Sequence, residues 1–113
     1  MPSSKTTRVL ATIAYNIVLA RRFVVGMKLD EFVEDERTVY AVTRCLEIIS
    51  EASRRLPDDL KARYPQVPWA QISAAGNVYR HEYEDVLAEL LWTTVHEQLG
   101  GLEQAIAIEQ GRS

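Results

Sequence analysis

Between residues 35 and 56 the apolar side chains Val39, Val42, Cys45, Leu46, Ile49 and Ala52 recur at steps of 3, 3, 1, 3 and 3. That spacing is one stripe along an α-helix. Arg37, Arg44, Glu47, Glu51, Arg54 and Arg55 mostly take the other side. Glu51 and Arg55, four apart, form a favourable surface pair. A long helix with a single apolar stripe has to bury it against other elements, so the rest of the chain is read for partners.

The partners are also helical. From about Thr7 to Val25, Leu10, Ile13, Ile17, Leu19 and Phe23 keep roughly helical spacing, and Gly26 is a natural stop. Residues 1–6 are polar, and the sequence reads them as disordered. Residues 28–35 predict a short acidic helix with Asp30 as its cap or in its first turn. Pro57-Asp-Asp ends the long helix and starts a short one, in which Leu60 and Tyr64 are four apart. Pro65 and Pro68 close that segment, and Trp69 opens a helix to His81 or Tyr83. A last long helix carries Val86, Leu90, Leu91, Val95, Leu99, Leu102, Ile106 and Ile108, with a bend expected at Gly100-Gly101. No strand-period segment of useful length and no repeat is present. The predicted class is all-α, an antiparallel bundle with short connections, formed by residues 1–113 as a single domain.

Composition narrows the function classes. The chain has 113 residues, 47% of them hydrophobic, and a net charge of −3, so no global basic field draws in nucleic acid. A nucleic-acid contact would need a local basic patch, for which Arg21-Arg22, Arg54-Arg55, Arg63 and Arg80 are available. Each pair by itself reads more simply as an ordinary solvated helix face. Cys45 is the single cysteine, which excludes an internal disulfide and a cysteine-based zinc cluster; it reads as a small core residue. The start has no apolar run of signal-peptide form, and no stretch approaches a membrane span. The expected location is the cytoplasm, with no membrane partner.

Chemistry concentrates in residues 69–83. Trp69, Asn77, Arg80, His81 and Tyr83 fall within a few helical turns. At the helical turn of about 100° per residue, Gly76, Arg80, Glu84, Asn77 and His81 follow one another around a single arc, less than half of the helix circumference. Ile72, Ala75, Val78 and Tyr79 take the opposite arc and face the core. Gly76, costly in a helix interior, allows close approach of a backbone, a side chain or a ligand. One polar arc therefore carries a histidine able to exchange a proton near neutral pH and an arginine with forked donors for phosphate. Asn77 could donate to phosphate or orient the imidazole. Together these cover the needs of RNA cleavage without a metal. By spacing alone, a single histidine on a helix is more often a surface or core residue than a catalyst. His96, on the last helix, reads as structural. No metal site is expected, since the two histidines are 15 positions apart with no carboxylate at ligand spacing.

Three segments in this order carry a resemblance: Leu46-Glu-Ile-Ile-Ser-Glu-Ala to Pro57, then Tyr64-Pro-Gln-Val-Pro-Trp-Ala-Gln-Ile72, then Gly76-Asn-Val-Tyr-Arg-His-Glu-Tyr83. They are similar to the HepT-like family of the HEPN superfamily, over about Arg8 to Ile106. The resemblance implies an antiparallel HEPN-type helical bundle that forms a homodimer. It also implies the toxin half of a bacterial toxin–antitoxin pair, a metal-independent endoribonuclease that cleaves an RNA substrate and needs no cofactor of its own. The implied partner is a nucleotidyltransferase antitoxin, which uses ATP to adenylylate the motif tyrosine. On this chain the motif histidine corresponds to His81, the tyrosine to Tyr83 and the polar residue to Asn77, with Gly76 and Glu84 lining the cleft. The family's arginine would fall on Gly76. Arg80, one turn further along, is expected to reach over the glycine into the same space. The alternative is a catalytically inactive HEPN-type module that binds a nucleotide or a partner protein.

Overall fold

The computed structural model describes residues 3–81 and 84–112, with side chains at all of these except 78–81, 84 and 85. Every regular element among them is helical.

Helix α1 (Ser4–Val24) starts ahead of the expected Thr7 because Ser3 caps it: the Ser3 Oγ accepts the Thr6 N–H at 3.1 Å. Its buried stripe is Val9, Leu10, Ile13, Ile17, Ala20 and Val24. Ile13 and Ile17 are both 0% exposed, and side chains of that size each stabilise the fold by about 1.5–3 kcal/mol when buried. Phe23, expected in the stripe, is 40% exposed because the sequence 17, 20, 24 carries the stripe past it. The chain then turns at Gly26, whose φ of 77° is the left-handed conformation that glycine adopts without steric cost.

Helix α2 (Leu29–Glu34) is closed at its start by the Glu31 carboxylate, which accepts the Lys28 N–H at 2.8 Å. It buries Phe32, whose ring lies 5.5 Å from that of Trp92. Helix α3 (Glu36–Ser53) is capped by Asp35, whose carboxylate accepts the Thr38 N–H at 3.1 Å. That bond holds the Asp35 carboxyl below the usual carboxylate range. The apolar stripe from Val39 to Ala52 is the buried face of α3: Val42, Cys45, Leu46, Ile49 and Ala52 are all buried, and Val39 packs against them half-buried.

Helix α4 (Asp58–Ala62) follows Pro57 and buries Leu60. Tyr64 is buried just beyond it. Trp69 begins α5 (Trp69–His81), and its indole N–H is held at 3.1 Å from both the Lys61 and the Tyr64 carbonyl oxygens. Helix α6 (Glu84–Thr93) leads into a π-helical turn (Thr94–Gln98) and then α7 (Leu99–Gln110). The expected break at Gly100-Gly101 thus lies earlier, where the winding widens over 94–98, and the glycines sit in the first turn of α7. Leu91, Val95, Leu99, Leu102 and Ile106 are buried as expected, whereas Val86 and Ile108 are 51% and 58% exposed.

Helix α3 is central, packed on α1 along one side and on α5 along another, while α7 covers α1 and α6 covers α2. Arg21 of α1 pairs with Glu103 of α7. The end of α7 is tied to α4 by Glu109, 2% exposed, which accepts from Tyr64 Oη at 2.8 Å and from Arg63 Nη2 at 2.5 Å. Burial by itself would raise the Glu109 carboxyl. The hydrogen bonds from Arg63 and Tyr64 and the charges of Arg63 and Arg112 outweigh it and hold that carboxyl below the usual range. No helix among the described residues is long and apolar enough to cross a membrane.

Candidate active site on α5

The polar segment of α5 is fixed from beneath by a row of small residues on α3. Ser50 and Ser53 are 1% and 0% exposed, in the middle of an otherwise apolar contact. The Ser50 hydroxyl donates to the Ser73 carbonyl at 3.1 Å, and its oxygen accepts the Gly76 N–H at 3.1 Å. Ser53 Oγ donates to the Ser50 carbonyl at 2.8 Å and lies 3.5 Å from Ser73 Oγ. Arg54, the next residue along the chain, reaches across to α5, where its Nε donates to the same Ser73 carbonyl at 2.8 Å. As α3 runs back from Arg54 to Ser50, α5 runs forward from Ser73 to Gly76, so the two helices are antiparallel here.

The reason for glycine at 76 is steric. A Cβ built there would stand 3.2 Å from Ser50 Oγ, 3.6 Å from Ser50 Cβ and 3.8 Å from Arg54 Nη2. The expectation that Gly76 admits a close neighbour is met, and the neighbour is the Ser50 side chain. Gly76 is buried and Asn77, next to it, is exposed. Ile72 and Ala75 are half-buried against the core, on the arc predicted for them.

The helix carries on through Arg80 to His81. By the rise of an α-helix, His81 stands about 7.5 Å along the axis from Gly76. The side chains of Val78, Tyr79, Arg80, His81 and Glu84, and the whole of Tyr83, lie outside the described residues. The reach of Arg80 over Gly76 therefore belongs with them. What the structure does bring together is Gly76, Ser73, Ser50 and Arg54.

Sequence reasoning passed over Ser50, Ser53 and Ser73, and named Arg54 only as part of a basic patch. Ser50 and Ser53 interrupt the apolar stripe of α3 three residues apart, and that interruption was the readable signal. Arg54 reads in sequence as half of an ordinary Arg54-Arg55 surface pair. The two arginines prove different: Arg55 pairs with Glu51 at 2.9 Å, while Arg54 binds a backbone carbonyl and, among the described residues, forms no ion pair. His96, read from sequence as structural, is exposed, with Nδ1 2.8 Å from the Trp92 carbonyl and its ring 4.0 Å from that of Trp92. Cys45 is a buried free thiol whose pKa is pushed up by burial, which keeps it in the unreactive form. Among the described residues, no three His, Cys, Asp or Glu side chains gather as a metal site.

Comparison with known proteins extends the picture over most of the chain. Residues 13–108 match the family described as Ribonuclease HepT-like. A protein of Thermococcus cleftensis named "Probable ribonuclease HepT" is 36% identical over 94 residues, 83% of this chain and 86% of that protein. Two proteins of Methanocaldococcus jannaschii named as candidate RNases are 36% and 35% identical, over 84% and 70% of this chain and 78% and 72% of their own lengths. No solved structure matches the chain.

Proposed function

The chain belongs to the HepT-like ribonuclease family, and from that premise we propose that it is a metal-independent endoribonuclease acting as the toxin of a toxin–antitoxin pair. The observation that carries the reading is the family match over residues 13–108, which takes in all of α5 with Asn77, Arg80 and His81.

Cleavage of RNA requires removal of the 2′-OH proton, stabilisation of the charge that builds on the phosphate, and a proton for the leaving 5′ oxygen. His81 transfers the proton, since imidazole can both take and give one near neutral pH. Arg80 contacts the phosphate, where a guanidinium supplies paired donors to two oxygens. Asn77 orients the imidazole or the phosphate. Two copies of the chain form the working unit, with an α5 from each facing the RNA. The cytoplasm is the proposed compartment.

Control comes from a nucleotidyltransferase antitoxin. The Tyr83 hydroxyl attacks the α-phosphate of ATP, pyrophosphate leaves, and an adenylyl group remains on the phenolic oxygen. The added negative charge and bulk next to His81 exclude the RNA backbone.

A second reading is a catalytically inactive module that binds a nucleotide or a partner protein. It is favoured by one observation: glycine stands at 76, where the resemblance places an arginine. Expression of the chain alone and with a neighbouring nucleotidyltransferase separates the two. Growth arrest that the partner relieves and His81→Ala abolishes is expected of the toxin. No arrest, or arrest unchanged by His81→Ala, overturns the nuclease reading. Intact mass after co-expression is expected to rise by adenylyl increments, and to stay unmodified in Tyr83→Phe.

A further inference from the structure

Arg54 is the described cation placed against Gly76. Its Nε is spent on the Ser73 carbonyl at 2.8 Å, which fixes the guanidinium across the α3–α5 groove. The Nη2 end then lies 3.8 Å from where a side chain at position 76 would begin. The space that an arginine at 76 would grow into is thus bordered by a guanidinium arriving from the other helix.

Three features set this side chain apart from an ordinary surface arginine. Its anchor is a backbone carbonyl rather than a carboxylate, so the full positive charge is retained. Among the described residues no acid pairs with it, while the adjacent Arg55 is neutralised by Glu51. Asn77, the residue after Gly76 in the chain, is exposed and carries an amide donor suited to a phosphate oxygen. Holding one donor of the fork on protein also removes much of the rotamer freedom that a long side chain otherwise loses on binding.

We propose that Arg54 grips a backbone phosphate of the RNA beside Gly76 and Asn77, supplying from α3 the cation that the glycine at 76 does not. The proposal rests on the ribonuclease reading for the identity of the ligand, and on the geometry for the residue. The phosphate it holds is offset from the one at His81 by about 7.5 Å along α5, so neighbouring phosphates of one strand meet the two positions. The role is one of binding and positioning the strand.

The test uses the full chain and a fluorescein-labelled single-stranded RNA of mixed sequence. Binding is followed by anisotropy across a salt series, in a His81→Ala background so that the strand stays intact. Arg54→Gln keeps an amide donor for Ser73 and removes the charge; Arg54→Lys keeps the charge; Arg55→Ala is the neighbouring control. The expected result is roughly tenfold weaker binding for Arg54→Gln, with the log–log salt slope smaller in magnitude by about 0.7, the share of one single-strand phosphate contact. Arg54→Lys should keep the slope, and Arg55→Ala should bind as the parent does. Binding by Arg54→Gln equal to the parent, or a loss no greater than that of Arg55→Ala, overturns the proposal. Cleavage by the unsubstituted chain is measured beside it. RNA binding that depends on Arg54 without any cleavage sinks the nuclease reading alone. Cleavage that depends on His81, with binding indifferent to Arg54, sinks the Arg54 proposal alone.

Discussion

The Ser50 hydroxyl oxygen and the Gly76 amide nitrogen are 3.1 Å apart, a side chain of α3 hydrogen-bonded to the backbone of α5. That contact sets how closely the two helices approach and therefore where the polar segment of α5 stands. It also reverses an expectation from helix propensity. Gly76→Ala should stabilise an isolated helix by up to about 1 kcal/mol. In the folded chain the new methyl would meet Ser50 Oγ at 3.2 Å, and Ser50 is held by bonds on both sides. We expect Gly76→Ala to destabilise by about 1 kcal/mol, read from denaturant midpoints. In a Ser50→Ala background the same change should cost less, giving a coupling of about 1 kcal/mol between the two sites. Strict additivity would show that Ser50 does not limit the approach.

The end of α7 should be sensitive to acid. The folded Glu109 carboxyl is held below its ordinary value, which is about 4.3 in an unstructured chain. A depressed carboxylate stabilises the fold at pH values above the unfolded value and loses that stabilisation as pH falls through the folded one. The difference in unfolding free energy between the parent and Glu109→Gln should thus be constant near neutrality and shrink below about pH 4. A difference that stays flat down to about pH 2 would refute the linkage.

Tyr64→Phe removes the phenol that donates to Glu109 at 2.8 Å while keeping the buried ring. A hydrogen bond to a charged acceptor is worth about 1.5–3 kcal/mol, and a loss of that size is expected in chemical unfolding. A change under about 0.5 kcal/mol would mean that Arg63 and Arg112 satisfy the carboxylate by themselves.

Trp69 tests the entry to α5. Its indole N–H serves two carbonyls, those of Lys61 and Tyr64. Trp69→Phe retains an aromatic ring and leaves both carbonyls without that donor, so a loss of about 1–2 kcal/mol is expected. Because the residue joins α4 to α5, amide exchange should quicken first in the opening turn of α5 rather than in α3.

For the chemistry, His81→Ala should lower RNA cleavage by about 100-fold to 10,000-fold, the usual contribution of a positioned acid–base group. Cleavage should be the same with and without EDTA. A large loss on chelation, restored by a divalent cation, would contradict the metal-independent mechanism.

The sequence by itself determined the helices and, for most of them, the face that is buried. The stripe from Val39 to Ala52 repeats every three or four residues, and Gly26, Pro57 and Pro68 punctuate the chain; these are local signals that report periods and stops. It also determined the family, whose model matches residues 13–108. Exceptions in the local reading have a common cause. Phe23, Val86 and Ile108 are apolar and helical but exposed, because burial depends on what lies opposite, and the period does not record that. Only the tertiary structure decided that Ser50 would stand under Gly76 and that Arg54 would reach the Ser73 carbonyl. Those residues are 26 and 19 positions apart, and their meeting depends on the register of two antiparallel helices joined through α4 and the Trp69 turn. In sequence Arg54 and Arg55 are equivalent neighbours. Both lie in the turn that closes α3, just past Ser53, and from there one reaches back to a carboxylate on α3 and the other across the groove to α5.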